Sequence, residues 1–313
     1  MKTIVKLLSI LLFLFFITNT IAQTPMEEYV NKNGVEKIKK KFIVDALSHP
    51  ATHKSFKDGH GKTPYLSSTD QLPDTIALIT FHVNESYKDI DWSRTTEFEA
   101  ENALKGGNTI ANLIESHTLM SLKDAFKKRG AILLTPKEYL DTDRKITFYY
   151  ETFAPEVSKV GKFLSNIENR NIDLSFCASG YRYFDMGAAL DYKRSQSLGG
   201  ELINKIDVSG SLSISIVTSS SKKKGILVHS VKMAIHGPNP NPKIDKKYFG
   251  QKTGTGYYNG QLYFGGTFAF KKPIQIIDIA NRKINLDGFE VILSSFIEKY
   301  YDEMEVAINK VSK

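Results

Sequence analysis

The segment 75–83 (TIALITFHV) is a nearly continuous apolar run that is rich in β-branched residues. Runs of this kind are typical of strands covered on both faces, because a strand with one wet face alternates apolar and polar residues. A chain that contains such a strand has to pack other elements against its sheet. The segment therefore constrains the fold more than any other part of the sequence.

The next segments supply a helix and a second strand. Residues 106–108 (GGN) precede a helix predicted from about Thr109 to Arg129, and Gly130 follows as a stop signal. A short buried strand is predicted at 131–134, and a helical turn with Pro136 at its first position comes next. Strand, helix and strand in this order predict a βαβ-like unit, and hence a sheet with helices packed on it.

The later part of the chain indicates antiparallel pairing. Residues 208–217 alternate apolar side chains with serines, which predicts a strand with one buried face and one wet face. On this pattern we expect Leu212→Asp to prevent folding and Ser213→Asp to be tolerated. A second strand at 226–236 completes a predicted hairpin, and further strands are predicted at 257–270 and 274–279.

Helical patterns occupy the two ends of the chain and the segment before the hairpin. We predict a helix over 26–47, weakened by Gly34, then a polar loop over 49–73. A helix over 186–206 carries the pair Gly199-Gly200, which indicates close packing or a kink. Asp287 and Glu290 form a predicted capping box for a terminal helix that extends to Val311.

Together these patterns predict an α/β fold of the mixed α+β kind. Its mixed sheet has a βαβ-like first part, an antiparallel second part and packed amphipathic helices. We divide the chain into a signal peptide (1–22), an amino-terminal helix and polar loop (23–73) and a single α/β domain (74–313). Segment 141–184, with a helical stretch near 156–167, interrupts the domain as an insertion would.

The first 22 residues predict export. Lys2 and Lys6 precede the apolar run 7–17, and small residues follow up to Ala22, as in a cleaved secretory signal. The run is too short to cross a bilayer, which takes about 20 helical residues. No cysteine is present for a lipid anchor at the cleavage site. We therefore expect a periplasmic or secreted protein that begins near Gln23 and has no transmembrane helix.

Composition supports a globular exported chain held by its core. Removing 22 of the 313 residues leaves 291, and 41% of the whole chain is apolar. Cys177 is the one cysteine, so no intramolecular disulfide can form. Loss of Lys2 and Lys6 lowers the formal charge from +8 to +6. Short basic clusters lie at 39–41, 127–129 and 222–224; we interpret them as solvated faces, and peripheral contact with anionic lipid is the alternative.

Two sets of residues could carry chemistry, and each has a structural explanation that we prefer. His49, His53 and His60, with Asp58 between them, could bind zinc or copper, but their spacing fits no common zinc pattern. Cys177 could act as a nucleophile if a distant histidine approached it. A single cysteine among aromatic residues is more often a small buried hydrophobe, and we expect it to be shielded by Phe176, Tyr181 and Phe184.

Weaker candidates have similar explanations. Gly254 and Gly256 lie inside a strand pattern, which excludes a phosphate loop at a helix start. His117 lies on an apolar helix stripe and is predicted to be half-buried with a partner. The carboxylate pairs at 89 and 91 and at 141 and 143 are explained by hydration. Four aromatic residues could form a stacking platform, although cross-strand packing also explains them: Tyr257, Tyr258, Tyr263 and Phe264. We therefore assign no catalytic, cofactor-binding or metal-binding residue.

The order of elements from Thr75 to about Ile235 resembles the amino-terminal α/β domain of TolB and the related periplasmic domain of the curli secretion channel. Matching features are the opening strand, the helix through Leu113 and Phe126, the strand 131–134 with the turn 136–140, and the helix that leads into 205–210 (KIDVSG). Asp207 and Gly210 match the aspartate before a strand and the glycine within it that are typical of that family. The chain departs from the family in having no propeller and no lipid-attachment cysteine. The resemblance implies a non-catalytic module for envelope assembly.

These observations lead to a functional hypothesis. We expect an exported, non-enzymatic envelope protein that acts through contacts with a protein partner, in envelope assembly or secretion. The alternative is a module that binds a small molecule, a lipid or a glycan through the aromatic strand 257–270. No feature indicates a nucleic-acid partner, and the oligomeric state stays open.

Overall fold

The computed structural model describes residues 25–44, 68–86, 97–153, 173–184, 197–221, 225–238, 247–248, 251–252, 260–278 and 283–311. Its helices are α1 Pro25–Lys41, α2 Glu97–Lys127, α3 Pro136–Tyr139, α4 Asp143–Thr147, α5 Leu202–Ile206 and α6 Phe289–Val311. Its strands are β1 Ile43–Val44, β2 Thr75–Ser86, β3 Ile132–Leu134, β4 Asp173–Cys177, β5 Gly210–Ser221, β6 Gly225–Pro238, β7 Lys247–Tyr248, β8 Gln251–Lys252, β9 Gly260–Asp278 and β10 Lys283–Ile284. A 3₁₀ turn lies at Thr69–Gln71, and π-helical turns lie at Phe148–Thr152 and Ser197–Glu201.

One mixed sheet organises the described residues, in the strand order β1-β9-β6-β5-β2-β3. β2 pairs in parallel with both β3 and β5, and the strands from β5 through β6 and β9 to β1 pair antiparallel. The predicted α/β class, with a βαβ-like first part and an antiparallel second part, is confirmed. β4 also pairs with β2, beyond the short β3, so the described end of segment 141–184 belongs to the same sheet.

The first face of the sheet is covered by α1, α2 and α6. Large side chains of β2, β5, β6 and β9 pack against these three helices in one continuous core. Phe296 of α6, for example, contacts Phe264 of β9 and Phe42, with ring centroids 5.1 and 5.6 Å apart. The predicted stripe of the terminal helix is therefore its buried face, although α6 begins at Phe289, one residue later than a cap at Asp287 would give.

The second face is also covered, which makes the predicted wet face of the serine strand wrong. Ser211, Ser213 and Ser215 are all buried. The π-helical turn 197–201 packs on β5, β6 and β9, and the Ser211 hydroxyl donates a hydrogen bond to the Leu198 carbonyl at 3.1 Å. Small serine side chains let the backbone of this turn approach the sheet closely. The turn contains Gly199 and Gly200, both buried, where the sequence indicated close packing or a kink.

Three predicted boundaries are wrong. α2 begins at Glu97 and runs through the glycine pair 106–107. Gly107 lies against the ring of Phe176 in β4, where there is no room for a side chain. The first helix ends at Lys41, and the chain then pairs with β9 as β1. The two strands predicted at 257–270 and 274–279 form one strand, β9, whose register against β6 shifts near Pro273.

Several predictions lie outside the described residues. These are the signal peptide, the predicted helix near 156–167, and the part of the predicted 186–206 helix that precedes Ser197. Within the described part of the chain, none of the helices combines the length and the hydropathy that crossing a bilayer requires.

Candidate functional site

A cleft of about 470 Å³ lies where the chain leaves β3 and β4. We call it the polar cleft. Open α/β sheets often bind ligands outside the carboxyl ends of their strands. The polar cleft has this position, since α3 follows the carboxyl end of β3. Its lining comes from α2, the start of α3 and the loop after β4: Thr109, Asn112, Leu113, Glu115, Ser116, Leu119, Thr135, Pro136, Lys137, Ser179 and Tyr181.

One face of α2 forms the longest wall of the polar cleft. Thr109, Asn112, Ser116 and Leu119 follow one another at intervals of three and four residues, which places them on one side of a helix. The opposite side of α2 is buried in the first core through residues such as Ile114. The helix therefore presents a fixed row of polar side chains to the cleft.

The start of α3 forms the floor. The Thr135 amide and hydroxyl both donate hydrogen bonds to the Glu138 carboxylate, at 2.7 and 2.8 Å. Lys123 of α2 pairs with the same carboxylate at 2.6 Å. Burial by itself would raise the pKa of Glu138, but the hydrogen bonds from Lys123 and Thr135 outweigh it and hold this pKa below its ordinary value. The ionised carboxylate fastens the floor to the wall.

The loop after β4 forms the third side, and two hydrogen bonds fasten it to α2. The Ser179 amide donates to the Asn112 side-chain oxygen at 2.6 Å, and the Tyr181 hydroxyl donates to Glu115 at 3.0 Å. Burial, followed by the charge of Glu115, raises the pKa of Tyr181, so the phenol stays protonated as a donor. Gly180 between them has a φ of +86°, a conformation that glycine adopts without strain.

Two buried tyrosines support this loop from behind. β3 and β4 pair with different parts of β2, and the carbonyls of Leu78 and Ile79 lie between them. Tyr139 and Tyr149 donate their hydroxyls to these two carbonyls, at 3.4 and 2.5 Å. The Arg182 amide in turn donates to the Tyr149 hydroxyl at 3.0 Å. The loop is therefore fixed to the edge of the sheet where β3 gives way to β4.

The polar cleft offers hydrogen-bonding groups rather than a catalytic set. Seven of its eleven lining residues carry a hydroxyl, amide, carboxylate or ammonium group besides the tyrosine. None of the described lining residues is a histidine or a cysteine. The Ser116 hydroxyl donates to the Leu113 carbonyl at 3.1 Å. The arrangement can bind a polar ligand through several directed hydrogen bonds.

Cys177 lies outside the polar cleft. Its cross-strand neighbour in β2 is His82, and it contacts the Thr80 hydroxyl. Burial raises the pKa of the thiol to about 11, and the hydrogen bond with Thr80 offsets this only in part. The thiol is therefore protonated at neutral pH and a poor nucleophile, even though a histidine is near. Cys177 is half-buried, and its neighbour Phe176 faces α2 instead.

His117 has a partner, as expected, but its surroundings are charged. Its Nε2 atom lies 3.4 Å from Glu290 and 4.0 Å from Asp287, at the start of α6. The residue is exposed rather than half-buried. Its position next to these two carboxylates indicates a link between α2 and α6.

The aromatic strand does not form an open platform in its described part. Tyr263, Phe264 and Phe268 of β9 are fully buried, so these three rings offer no open surface to a ligand. Tyr257 and Tyr258 lie outside the described residues. The same is true of the three loop histidines, of Gly254 and Gly256, and of the carboxylates at 89 and 91. Asp141 pairs with Lys145 at 3.0 Å.

Two basic clusters contribute to ion pairs within the protein. Lys39 lies 2.5 Å from Asp302, and Arg129 lies 2.7 Å from the same residue. The third cluster, at 222–224, lies outside the described residues. Among the residues that the structure describes, no group of three histidine, cysteine or acidic side chains could hold a metal ion.

The polar cleft was missed in the sequence because its signal is ambiguous. The row on α2 was visible as polar positions at helical spacing, but a solvated helix face has the same pattern. Ser179 and Tyr181 lie about 60 residues away from that row, and no local pattern connects them to it.

The two residues that carry the resemblance to the TolB family have local structural roles. Asp207 has a left-handed backbone (φ 58°) at the end of α5, a conformation that aspartate tolerates better than most residues. A side chain at Gly210 would lie 2.7 Å from Pro73. Comparisons of this chain with protein-family models, curated proteins and solved structures found no match. The relation to TolB and to the curli channel stays a prediction.

Proposed function

We propose that this chain is an exported, non-enzymatic protein of the cell envelope that acts by binding a protein partner at the polar cleft. One observation carries the proposal: the three sides of the cleft are held together by hydrogen bonds within the protein. A site that is formed before binding loses little conformational freedom when a partner arrives. Such a site is suited to recognition.

The size and the lining of the cleft favour a polar segment of a partner chain. Its volume of about 470 Å³ lies within the usual range of ligand sites, roughly 300 to 1,000 Å³. Ligand sites for apolar small molecules are lined mainly by hydrophobic side chains. Eight of the eleven side chains that line this cleft carry a polar group, which suits the amides and hydroxyls of a peptide segment.

A second candidate function is supported by the same lining. Hydroxyl, amide and carboxylate groups clustered in one cleft also match the hydrogen-bonding needs of a sugar or another small polyol. This is the alternative of a glycan-binding module, moved from the buried aromatic strand to the polar cleft. A saturable rise in melting temperature with one sugar of a panel would favour it over a protein partner.

Site-specific crosslinking tests the leading proposal. A photoreactive phenylalanine analogue replaces Ser116 in the cleft wall, and a matched variant carries it at Asp124, an exposed position on α2 that does not line the cleft. We expect a discrete crosslinked protein in envelope fractions from the Ser116 probe and none from the Asp124 probe. Equal products from both positions, or none from Ser116, would reject the cleft as the binding surface.

Blocking the cleft gives an independent measurement. Ser116→Trp places a large side chain at an exposed wall position, so we expect folding to be retained and partner capture to be lost. Asp124→Trp is the control for a tryptophan on the same helix. Export is measured separately: amino-terminal sequencing of the purified native protein should begin at Gln23.

A further inference from the structure

A second cleft lies at the opposite end of β2 and β3 from the polar cleft. We call it the acidic cleft. It has a volume of about 450 Å³ and lies between the 3₁₀ turn, the carboxyl end of α2 and the middle of α6. Three carboxylates contribute to its lining, those of Asp70, Asp74 and Glu305. Tyr301 lines the same space, together with the apolar residues Leu72 and Pro73.

The acidic cleft is negatively charged in a chain whose formal charge is +8. Its one lining cation, Arg129, is already bound: its guanidinium pairs with Asp302 at 2.7 Å, and its Nε donates to Glu298 at 3.1 Å. Within the described residues, the carboxylates of Asp70 and Glu305 have no hydrogen-bond or ion-pair partner. Two carboxylates are therefore available to a ligand from solvent.

The third carboxylate is held in its ionised form. The Ser209 hydroxyl donates to Oδ1 of Asp74 at 2.8 Å, and this hydrogen bond lowers the pKa of Asp74. Ser209 also accepts the backbone N–H groups of Asp74 and Thr75, at 3.0 and 2.8 Å. The carboxylate is thus fixed in place at neutral pH before any ligand binds.

Tyr301 provides an independent indication of a ligand. It is only 8% exposed, and its hydroxyl has no hydrogen-bond partner among the described residues. A buried hydroxyl without a partner is unfavourable, because it has lost its bonds to water. Burial raises the pKa of Tyr301, the charge of Arg129 lowers it, and the charge of Asp74 raises it by a smaller amount. Arg129 lies over the ring, 5.8 Å from its centre, and is already paired with acidic residues. An ammonium group bound beside Tyr301 would give the hydroxyl a partner.

The nature of the cation follows from the spacing of the acids and the apolar wall. No three acidic, histidine or cysteine side chains in the described residues approach closely enough to hold a metal ion. The three carboxylates come from different segments, namely the 3₁₀ turn, the residue before β2, and α6. Together with the neighbouring Leu72 and Pro73, they match an elongated cation that has methylene groups between its charges. We propose that the acidic cleft binds an aliphatic ammonium ligand, either a free polyamine or a lysine side chain of a partner. This proposal does not depend on the function proposed for the polar cleft.

Calorimetric titration of the mature protein tests this proposal. Spermidine represents the free amine, a blocked peptide with two lysines represents a partner side chain, and calcium chloride at matched ionic strength is the control for charge alone. We expect saturable binding of one equivalent of spermidine, of the peptide or of both, and no comparable heat with calcium. Binding by spermidine alone identifies a small-molecule site, and binding by the peptide alone identifies a site for lysine side chains.

Variants connect binding to the cleft. Asp70 and Glu305 are exposed, so Asp70→Asn with Glu305→Gln should fold normally and weaken binding about five- to ten-fold. Tyr301→Phe should weaken binding severalfold without lowering the melting temperature of the free protein, since the hydroxyl has no partner to lose. Glu151→Gln, exposed elsewhere, is the charge control. Unchanged affinity in the double variant, equal binding of calcium, or no saturable binding of either amine would overturn the proposal.

Discussion

Replacement of Gly107 by alanine tests how closely α2 approaches the sheet. A Cβ atom at this position would lie 2.1, 2.2 and 2.6 Å from three carbons of the Phe176 ring. Carbon atoms in contact are normally about 3.5 to 4.0 Å apart, so the ring or the helix would have to move by about 1.5 Å. Phe176 is only 1% exposed and has little free space to move into.

Two opposing effects determine the size of the change. Alanine is favoured over glycine inside a helix by about 1 kcal/mol. Overpacking in a close-packed core typically costs about 1 to 3 kcal/mol, and a 1.5 Å displacement places this site in the upper part of that range. We therefore expect Gly107→Ala to lower the free energy of unfolding by about 1 to 2 kcal/mol.

Urea unfolding of the protein, followed by circular dichroism, measures this change. Asn108→Ala is the matched control on the same helix: Asn108 is exposed, so the variant should be stabilised by roughly 0.5 kcal/mol. Phe176→Leu should reduce the cost of Gly107→Ala in the double variant, because the smaller side chain removes the overlap. If Gly107→Ala stabilises the protein as Asn108→Ala does, the close contact between α2 and β4 is refuted.

Three further changes test the second face, the thiol and the ion-pair cluster. Ser213→Asp should lower the melting temperature about as much as Leu212→Asp, because Ser213 is buried and a carboxylate there would have no partner. Ser213→Ala should be tolerated, since the Ser213 hydroxyl has no hydrogen-bond partner among the described residues. Cys177 should react with iodoacetamide at pH 8 far more slowly in the native protein than in denaturant. Since its pKa is raised from 9.0 to about 11, the stability due to the buried neutral thiol is complete below pH 9 and lost as the pH rises to about 11, relative to Cys177→Ala. Arg129→Met should cost about 1 to 2 kcal/mol at pH 7. Burial opposes the ionisation of Asp302, but hydrogen bonds from Lys39 and Arg129 outweigh burial and lower the pKa of Asp302. The destabilisation caused by Arg129→Met should therefore become smaller as the pH falls below 3.8. Urea titrations at several pH values would detect this change.

The long elements were predictable from the sequence because each buries a full face by itself. The continuous apolar run 75–83 identifies a strand, and the apolar stripe that continues from Phe289 along α6 has the spacing of a helix. β1 and β10 could not be predicted, since two residues carry no period and both strands exist only by pairing with β9. The sequence predicts two strands, 257–270 and 274–279, where the structure has the one strand β9, and proline inside a strand is uncommon. In the structure, Pro273 is exposed on β9 where the register shifts, and proline is tolerated there.

In β5, the strand was predicted correctly from the local pattern, but the solvent exposure of its serine face was predicted wrongly. Alternation of Leu212 with Ser213 identified the strand and the face of its large side chains, both of which the structure contains. A serine row was interpreted as wet because hydroxyls are usually hydrated. The glycine pair 199–200 forms a separate signal, which indicates close packing or a kink in a helix. In the structure, the serine row of β5 and the glycine pair belong to one contact, in which the glycine-containing turn lies on the small serine side chains. Each pattern, taken alone, also fits a surface exposed to solvent.

The same reasoning applies to both clefts. Each is assembled from three segments that are far apart in the chain, and the contacts that hold the segments together involve ordinary polar residues such as Asn112 and Ser209. A catalytic or metal site would be recognised from unusual residue types at fixed spacing, but a hydrogen-bonding or charged cleft uses residues that are common on every protein surface. Asp74, for example, has Ser209 as a hydrogen-bond partner because the parallel pairing of β2 with β5 places the two residues side by side. Clefts of this kind follow from the topology of the sheet, and the local sequence pattern contains no sign of them.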